Sequence, residues 1–176
     1  MVTLESSKLC SSLSSSEQQA LSKVAQIKTF SQDSPIFREG DKGDGIYVVR
    51  KGEVQITASL NRGEPRKLSR IGPGDFFGEL AILDSEPRSA SATAETETEV
   101  YFIPQSELVR LLEDAPKFAI SLVREVSRRV REFNRQYIQD VLQAERLAIV
   151  GEFARSIVHD IRNPLTVIGL AAEMMP

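Results

Sequence analysis

Apolar and polar residues alternate in short runs between Gln26 and Ile103, whereas beyond Pro116 the apolar ones recur every three or four positions. The first period is that of strands with a buried face, the second that of a helix. Strands are predicted at Gln26–Phe30, Ser34–Arg38, Gly45–Lys51, Glu53–Leu60, Pro65–Ile71, Ser89–Ala94 and Thr98–Ile103, short, rich in β-branched and aromatic residues, and punctuated by Gly, Asp and Pro. Lys51-Gly52 separates two of them, and the glycine can supply the positive φ of a hairpin turn. Ahead of the strands, Ser14 and Glu17 have the spacing of a capping box and predict a short helix over Glu17–Val24. After them, Ser106 is placed to cap a helix over Glu107–Asp114.

The tail is different. Ala119, Val123, Val126, Val130, Phe133 and Tyr137 step by alternating fours and threes, the seam of a left-handed coiled coil, and Val141 follows with a stutter. From Lys117 to Met175 the only glycines are Gly151 and Gly169 and the only proline is Pro164. Nearly sixty helical residues would span roughly 90 Å. A helix that long needs another helix to cover its seam, most simply its copy in a homodimer. The expected fold is therefore α+β: a jelly-roll β-barrel with flanking helices, then a long C-terminal dimerisation or coiled-coil helix.

Composition narrows the chemistry. The 176 residues are 41% hydrophobic and 27% charged, with a formal net charge of −3. An acidic balance argues against a chain whose main task is gripping nucleic acid. Cys10 is the only cysteine and His159 the only histidine, too few for a disulfide framework, a cysteine cluster or a multi-histidine metal cage. No metal site is expected. Neither a signal-peptide run nor a membrane-length apolar stretch is present, so the expectation is a cytoplasmic chain.

The candidate binding chemistry lies in Gly78-Glu79-Leu80-Ala81-Ile82-Leu83-Asp84-Ser85-Glu86-Pro87-Arg88-Ser89-Ala90. It reads as a short glycine-led helix followed by an arginine entering a strand. Backbone N–H groups at such a helix start suit an anion. Arg88 adds a fork of donors for phosphate oxygens, Ser89 a hydroxyl, and Glu79 an acceptor for a sugar hydroxyl. Pairing of Arg88 with Glu79 on the sheet wall is the competing structural reading.

Together with Phe37-Arg38-Glu39-Gly40-Asp41, Tyr47-Val48-Val49-Arg50-Lys51-Gly52-Glu53-Val54 and Gly72-Pro73-Gly74-Asp75-Phe76-Phe77-Gly78-Glu79-Leu80-Ala81, this stretch resembles the cyclic nucleotide-binding domain family over roughly residues 4–140. The resemblance implies a phosphate-binding cassette at Phe77–Ala90. In it Arg88 binds the cyclic phosphate and Glu79 the ribose 2′-OH, while the amides around Gly78, Leu80 and Ala81, with Ser89, complete the cradle. Serine after the arginine goes with cyclic AMP more than cyclic GMP. The long helix of relatives such as the catabolite activator protein covers the base, which points to Phe133 and Asn134.

A second motif closes the chain. His159 lies two residues from both Ile157 and Ile161, about 200° round a helix, and so points away from the apolar seam. Pro164 within helical context removes the bond to the carbonyl of Asp160, beside that histidine. His159-Asp160-Ile161-Arg162-Asn163-Pro164-Leu165 resembles the H box of sensor histidine kinases. The resemblance implies that His159 accepts a phosphoryl group, that Asp160 assists as acid or base, and that Asn163 helps transfer or removal. It also implies a response regulator as partner of the full kinase.

The expected layout is a cyclic nucleotide-binding domain at 1–115, a dimer helix at 116–144 and part of a phosphoacceptor helix at 145–176. The ATP-binding domain of such kinases has no counterpart here, so the expectation is a piece of a longer kinase, not catalytic as it stands. The alternative is a catabolite activator-type transcription regulator lacking its DNA-binding domain. A cupin-like metalloenzyme is excluded by the lack of any histidine among the strands.

Overall fold

The computed structural model describes the backbone of residues 1–59 and 65–173, and side chains as far as residue 150 save that of residue 148. The chain divides into two units, Met1–Arg124 and Glu125–Pro176.

The first unit holds helix α1 (Ser15–Val24), strands β1 (Gln26–Phe30), β2 (Pro35–Phe37), β3 (Gly45–Lys51), β4 (Val54–Ser59), β5 (Pro65–Ile71) and β6 (Phe76–Phe77), and helix α2 (Leu80–Leu83). Strands β7 (Ser91–Ala94) and β8 (Thr98–Pro104), helix α3 (Gln105–Asp114) and the first residues of α4 (Pro116–Glu173) complete it. Ser14 caps α1 through the predicted box, its amide donating to the Glu17 carboxylate at 2.7 Å. For α3 the predicted Ser106 cap is not used. Pro104 stands at the N-cap with no side-chain bond, and the helix begins two residues earlier than predicted, at Gln105.

The strands form two four-stranded sheets, β1-β8-β3-β6 and β2-β7-β4-β5, rather than one closed barrel. Every pairing is antiparallel. The result is a jelly-roll-like sandwich, whose two sheets meet through side chains instead of a continuous ladder. β3 shows why the first sheet sits in the middle of the unit. Ile46 and Val48 pack on one face with Leu4, Leu9, Leu21, Leu108, Phe118 and Leu122 of the helical segments. Tyr47 and Val49 pack on the other, between the sheets, with Val54, Phe77, Ala92, Val100 and Phe102. Five successive residues of β3 are therefore buried, and the alternation expected of a strand with one wet face is replaced by a continuous apolar run. The first residues of α4 belong to this core, with Phe118 at 1% and Leu122 at 3% exposure.

In the second unit α4 continues as helix. Val130, Phe133, Tyr137 and Val141 of the predicted seam are all exposed on the single chain, and Phe133 stacks on Tyr137 at 6.4 Å. Around the seam, Glu125 binds both Arg128 and Arg129, and Arg128 also reaches Glu132. The helix runs through 159–163, but the side chains of His159, Asp160 and Asn163 lie outside the described residues.

Candidate functional site

Arg88 is a cation buried by its surroundings, with its side chain at 1% exposure. The backbone fixes it first. Its amide donates to the Asp41 carbonyl and its carbonyl accepts from the Gly40 amide, both at 2.8 Å, so the turn after β2 grips it from both sides. The guanidinium is then pinned end-on. Nη1 donates to the Gly78 carbonyl at 2.5 Å, and Nη2 donates to Asp44 Oδ1 at 2.6 Å and to the Gly45 carbonyl at 2.8 Å. Cζ lies 4.2 Å from the centroid of the Phe37 ring. Nε is buried and has no hydrogen-bond partner. A buried donor without an acceptor is costly, and one on a cation suits an anion.

Asp44 is held in turn by Tyr47, whose hydroxyl donates to it at 3.0 Å. Burial, and then the Asp44 carboxylate, push the Tyr47 hydroxyl up, so it stays protonated as a donor. Tyr47 stacks on Phe77 at 5.3 Å, and both face the layer between the sheets.

Gly78 joins β6 to α2 at φ +82°, and a Cβ built there would stand 2.6 Å from Arg88 Nη1. Glycine is required on both counts. In α2 the first bonds run from the Ile82 and Leu83 amides to the Glu79 carbonyl, so the Leu80 and Ala81 amides precede the hydrogen-bonded turn. Glu79 is buried at 7% exposure. Ser85, at φ +60°, turns the chain from α2 back towards Pro87 and Arg88. Gly78, Glu79, Leu80 and Ala81 thus form one corner, tied to Arg88 by the Gly78 carbonyl, and Ser89 follows Arg88 on the exposed side.

The model of the family described as Cyclic nucleotide-binding domain matches residues 27–115, which contain this whole arrangement. The chain belongs to that family. Its cyclic nucleotide-binding domain is similar to the Cyclic AMP receptor protein of Thermus thermophilus, 36% identical over 107 residues, covering 61% of this chain and 50% of that protein. It is also 36% identical over 115 residues to the CRP-like cAMP-activated global transcriptional regulator of Mycobacterium tuberculosis, covering 65% of this chain and 51% of that one. This chain therefore spans about half the length of those curated relatives. Among solved structures, Thermus thermophilus Catabolite Activator Protein superposes with a TM-score of 0.68 at 33% identity, over 78% of this chain and 63% of that one. The regulatory domain of Toxoplasma gondii PKA, crystallised with cAMP, gives 0.65 at 26% identity, over 71% and 47%.

Within the cyclic nucleotide-binding domain, the sequence points to Gly78, Glu79, Leu80, Ala81, Arg88 and Ser89 as candidates and gives no role to Asp44, Tyr47 or Phe37. The Asp44–Arg88 contact spans 44 residues of sequence and has no local signature. Asn134 stands exposed on α4 in the second unit. Among the described residues no cluster of His, Cys, Asp or Glu could hold a metal ion, and no helix is long and apolar enough to cross a membrane.

Proposed function

We propose that this cyclic nucleotide-binding regulatory domain takes cyclic AMP in preference to cyclic GMP, with Arg88 and the α2 corner holding the cyclic phosphate. The carrying observation is the buried Arg88 Nε without a partner, on a guanidinium whose other nitrogens are already fixed. The Leu80 and Ala81 amides supply further donors for phosphate oxygens, and the missing Cβ of Gly78 lets the Arg88 guanidinium lie against the corner. Glu79 accepts from the ribose 2′-OH, and Ser89 adds a hydroxyl beside the phosphate. The names of the Thermus and Mycobacterium relatives, both of which state cyclic AMP, support that nucleotide.

The proposed layout keeps the nucleotide domain at 1–115, a dimer helix at 116–144 and a phosphoacceptor segment at 145–176. The exposed Val130, Phe133, Tyr137 and Val141 support association of two α4 helices in a homodimer. Nucleotide binding that favours one arrangement of that helix over another would pass to the H box. There His159 is the phosphoacceptor and Asp160 and Asn163 assist, in a sensor histidine kinase that passes its phosphoryl group to a response regulator. The H-box residues carry this reading.

A second reading has its own support. The Mycobacterium tuberculosis relative is by name a transcriptional regulator, and this chain covers about half of it. On that reading the domain and helix are the ligand-sensing part of a catabolite activator-type regulator.

Titration calorimetry of the chain with cyclic AMP and cyclic GMP tests the central proposal. Cyclic AMP is expected to bind more tightly, and Arg88→Ala to abolish binding of both. A wild-type chain that binds neither nucleotide overturns the proposal. Incubation with the separate ATP-binding domain of a histidine kinase and labelled ATP separates the two readings: label on the chain, lost in His159→Gln, supports the kinase, and no label supports the regulator.

A further inference from the structure

The ring of Phe37 is the face on which the Arg88 guanidinium rests. Cζ stands 4.2 Å from the Phe37 centroid but 5.7 Å from that of Tyr47, so Phe37 is the nearer of the two rings. A cation within about 6 Å of a ring centroid is attracted by the negative π face, most strongly where water is excluded. Water is largely excluded here, since the Arg88 side chain is 1% exposed while its carboxylate partner Asp44 is 51% exposed.

The ring is itself held in place. Phe37 ends β2 opposite Ala92 of β7, and its ring meets Tyr47 at 5.6 Å and Phe77 at 5.8 Å. The turn that follows it carries the Gly40 and Asp41 groups that bond the Arg88 backbone. A Cβ on Gly78 would lie 3.4 Å from Phe37 Cε1 as well as 2.6 Å from Arg88 Nη1, so ring, guanidinium and glycine meet at one point. A hydrogen-bonded guanidinium can still tilt about its Nη ends. A flat surface against its plane removes that freedom.

We propose that Phe37 is a positioning residue for anion recognition: its ring fixes the plane of the Arg88 guanidinium and so aims Nε at the bound phosphate. This rests on the reading of the Arg88 corner as the phosphate site. The choice of an aromatic residue at this position is then a matter of affinity for the phosphate group, beyond its contribution to packing.

Phe37→Leu keeps apolar bulk and removes the π face, whereas Phe37→Tyr keeps the face. In calorimetry with cyclic AMP, Phe37→Leu is expected to weaken binding by about tenfold, and Phe37→Tyr to restore it. In the ligand-free protein the Arg88 Nε–H proton, assigned with Arg88→Lys, is expected upfield from the ring current. It should move downfield in Phe37→Leu and stay in Phe37→Tyr, with thermal unfolding confirming that both variants fold. Affinity and resonance unchanged in Phe37→Leu overturn the proposal. Equal weakening by both variants with no difference in the resonance also overturns it, by reducing Phe37 to packing. If the wild type binds neither cyclic nucleotide, the phosphate reading itself falls; the resonance, measured without ligand, tells that outcome apart.

Discussion

Asp44 Oδ1 lies 2.6 Å from Arg88 Nη2, yet the arginine side chain is 1% exposed and the carboxylate 51% exposed. A buried cation is thus neutralised by an anion standing at the water boundary. Asp44→Asn keeps the shape and removes the charge, leaving Arg88 with neutral acceptors only, the Gly45 and Gly78 carbonyls among them. Because the carboxylate is half in water, the expected loss is at the lower end for a broken pair, about 1–2 kcal/mol. Urea denaturation of the ligand-free chain measures it. With saturating cyclic AMP the deficit should narrow, because the phosphate supplies negative charge to the same guanidinium; an unchanged deficit would place the phosphate elsewhere.

Gly78 and Gly72 make a matched pair. Gly78→Ala puts a Cβ against Arg88 Nη1 at a backbone φ of +82°, whereas a Cβ at Gly72 meets nothing within 4 Å. Gly78→Ala should cost about 1–2 kcal/mol in denaturant unfolding and abolish cyclic nucleotide binding in calorimetry. Gly72→Ala should stay within about 0.5 kcal/mol of wild type and bind normally.

The Glu125 carboxyl on α4 is held down to about 2, chiefly by its hydrogen bonds to Arg128 and then by Arg129. A carboxyl with a depressed folded pKa contributes stability above its unfolded value and loses it as pH falls through the folded one. Helical ellipticity should therefore distinguish wild type from Glu125→Gln at neutral pH, and the difference should fade between about pH 4.5 and about pH 2. Added salt should shrink it at every pH, since these side chains are partly in water.

Cys10 is fully buried, and burial raises its thiol above the ordinary value. Its alkylation at neutral pH should be slow and should follow global unfolding rather than a local opening. A rate that exceeds the unfolding rate measured by circular dichroism would show that the N-terminal segment detaches on its own.

Much of this architecture is readable from residue order. Strands β1, β3 and β5 begin and end where the sequence pattern places them, β3 between Gly45 and Gly52 and β5 between Pro65 and Gly72. The α1 cap follows from Ser14 and Glu17, three residues apart and free to close their own ring of bonds. The two-residue β6 is not legible, because Phe76 and Phe77 sit among glycines and become a strand only by pairing with Tyr47 and Val48. The division into two sheets escapes notice for a similar reason. It depends on which strands find each other in space, and alternation reports only that a face is buried. At the site, the local run Gly78–Ala81 and the arginine after Pro87 stand out as sequence. Their supports do not: Asp44, Tyr47 and Phe37 acquire a role only when folding brings them to Arg88. Hydrogen-bond partners far apart in sequence leave no period or spacing to detect.

Three of the four edge strands of the sandwich, all but β1, have a bearing on self-association. β6 has two residues, β2 has three and begins with a proline, and β5 carries Arg66, Lys67 and Arg70 on its exposed run. Short, proline-bearing or like-charged edges resist the addition of a strand from a second copy. At those three borders a crowded solution of the protein meets a deterrent to the strand-by-strand growth that leads to fibres.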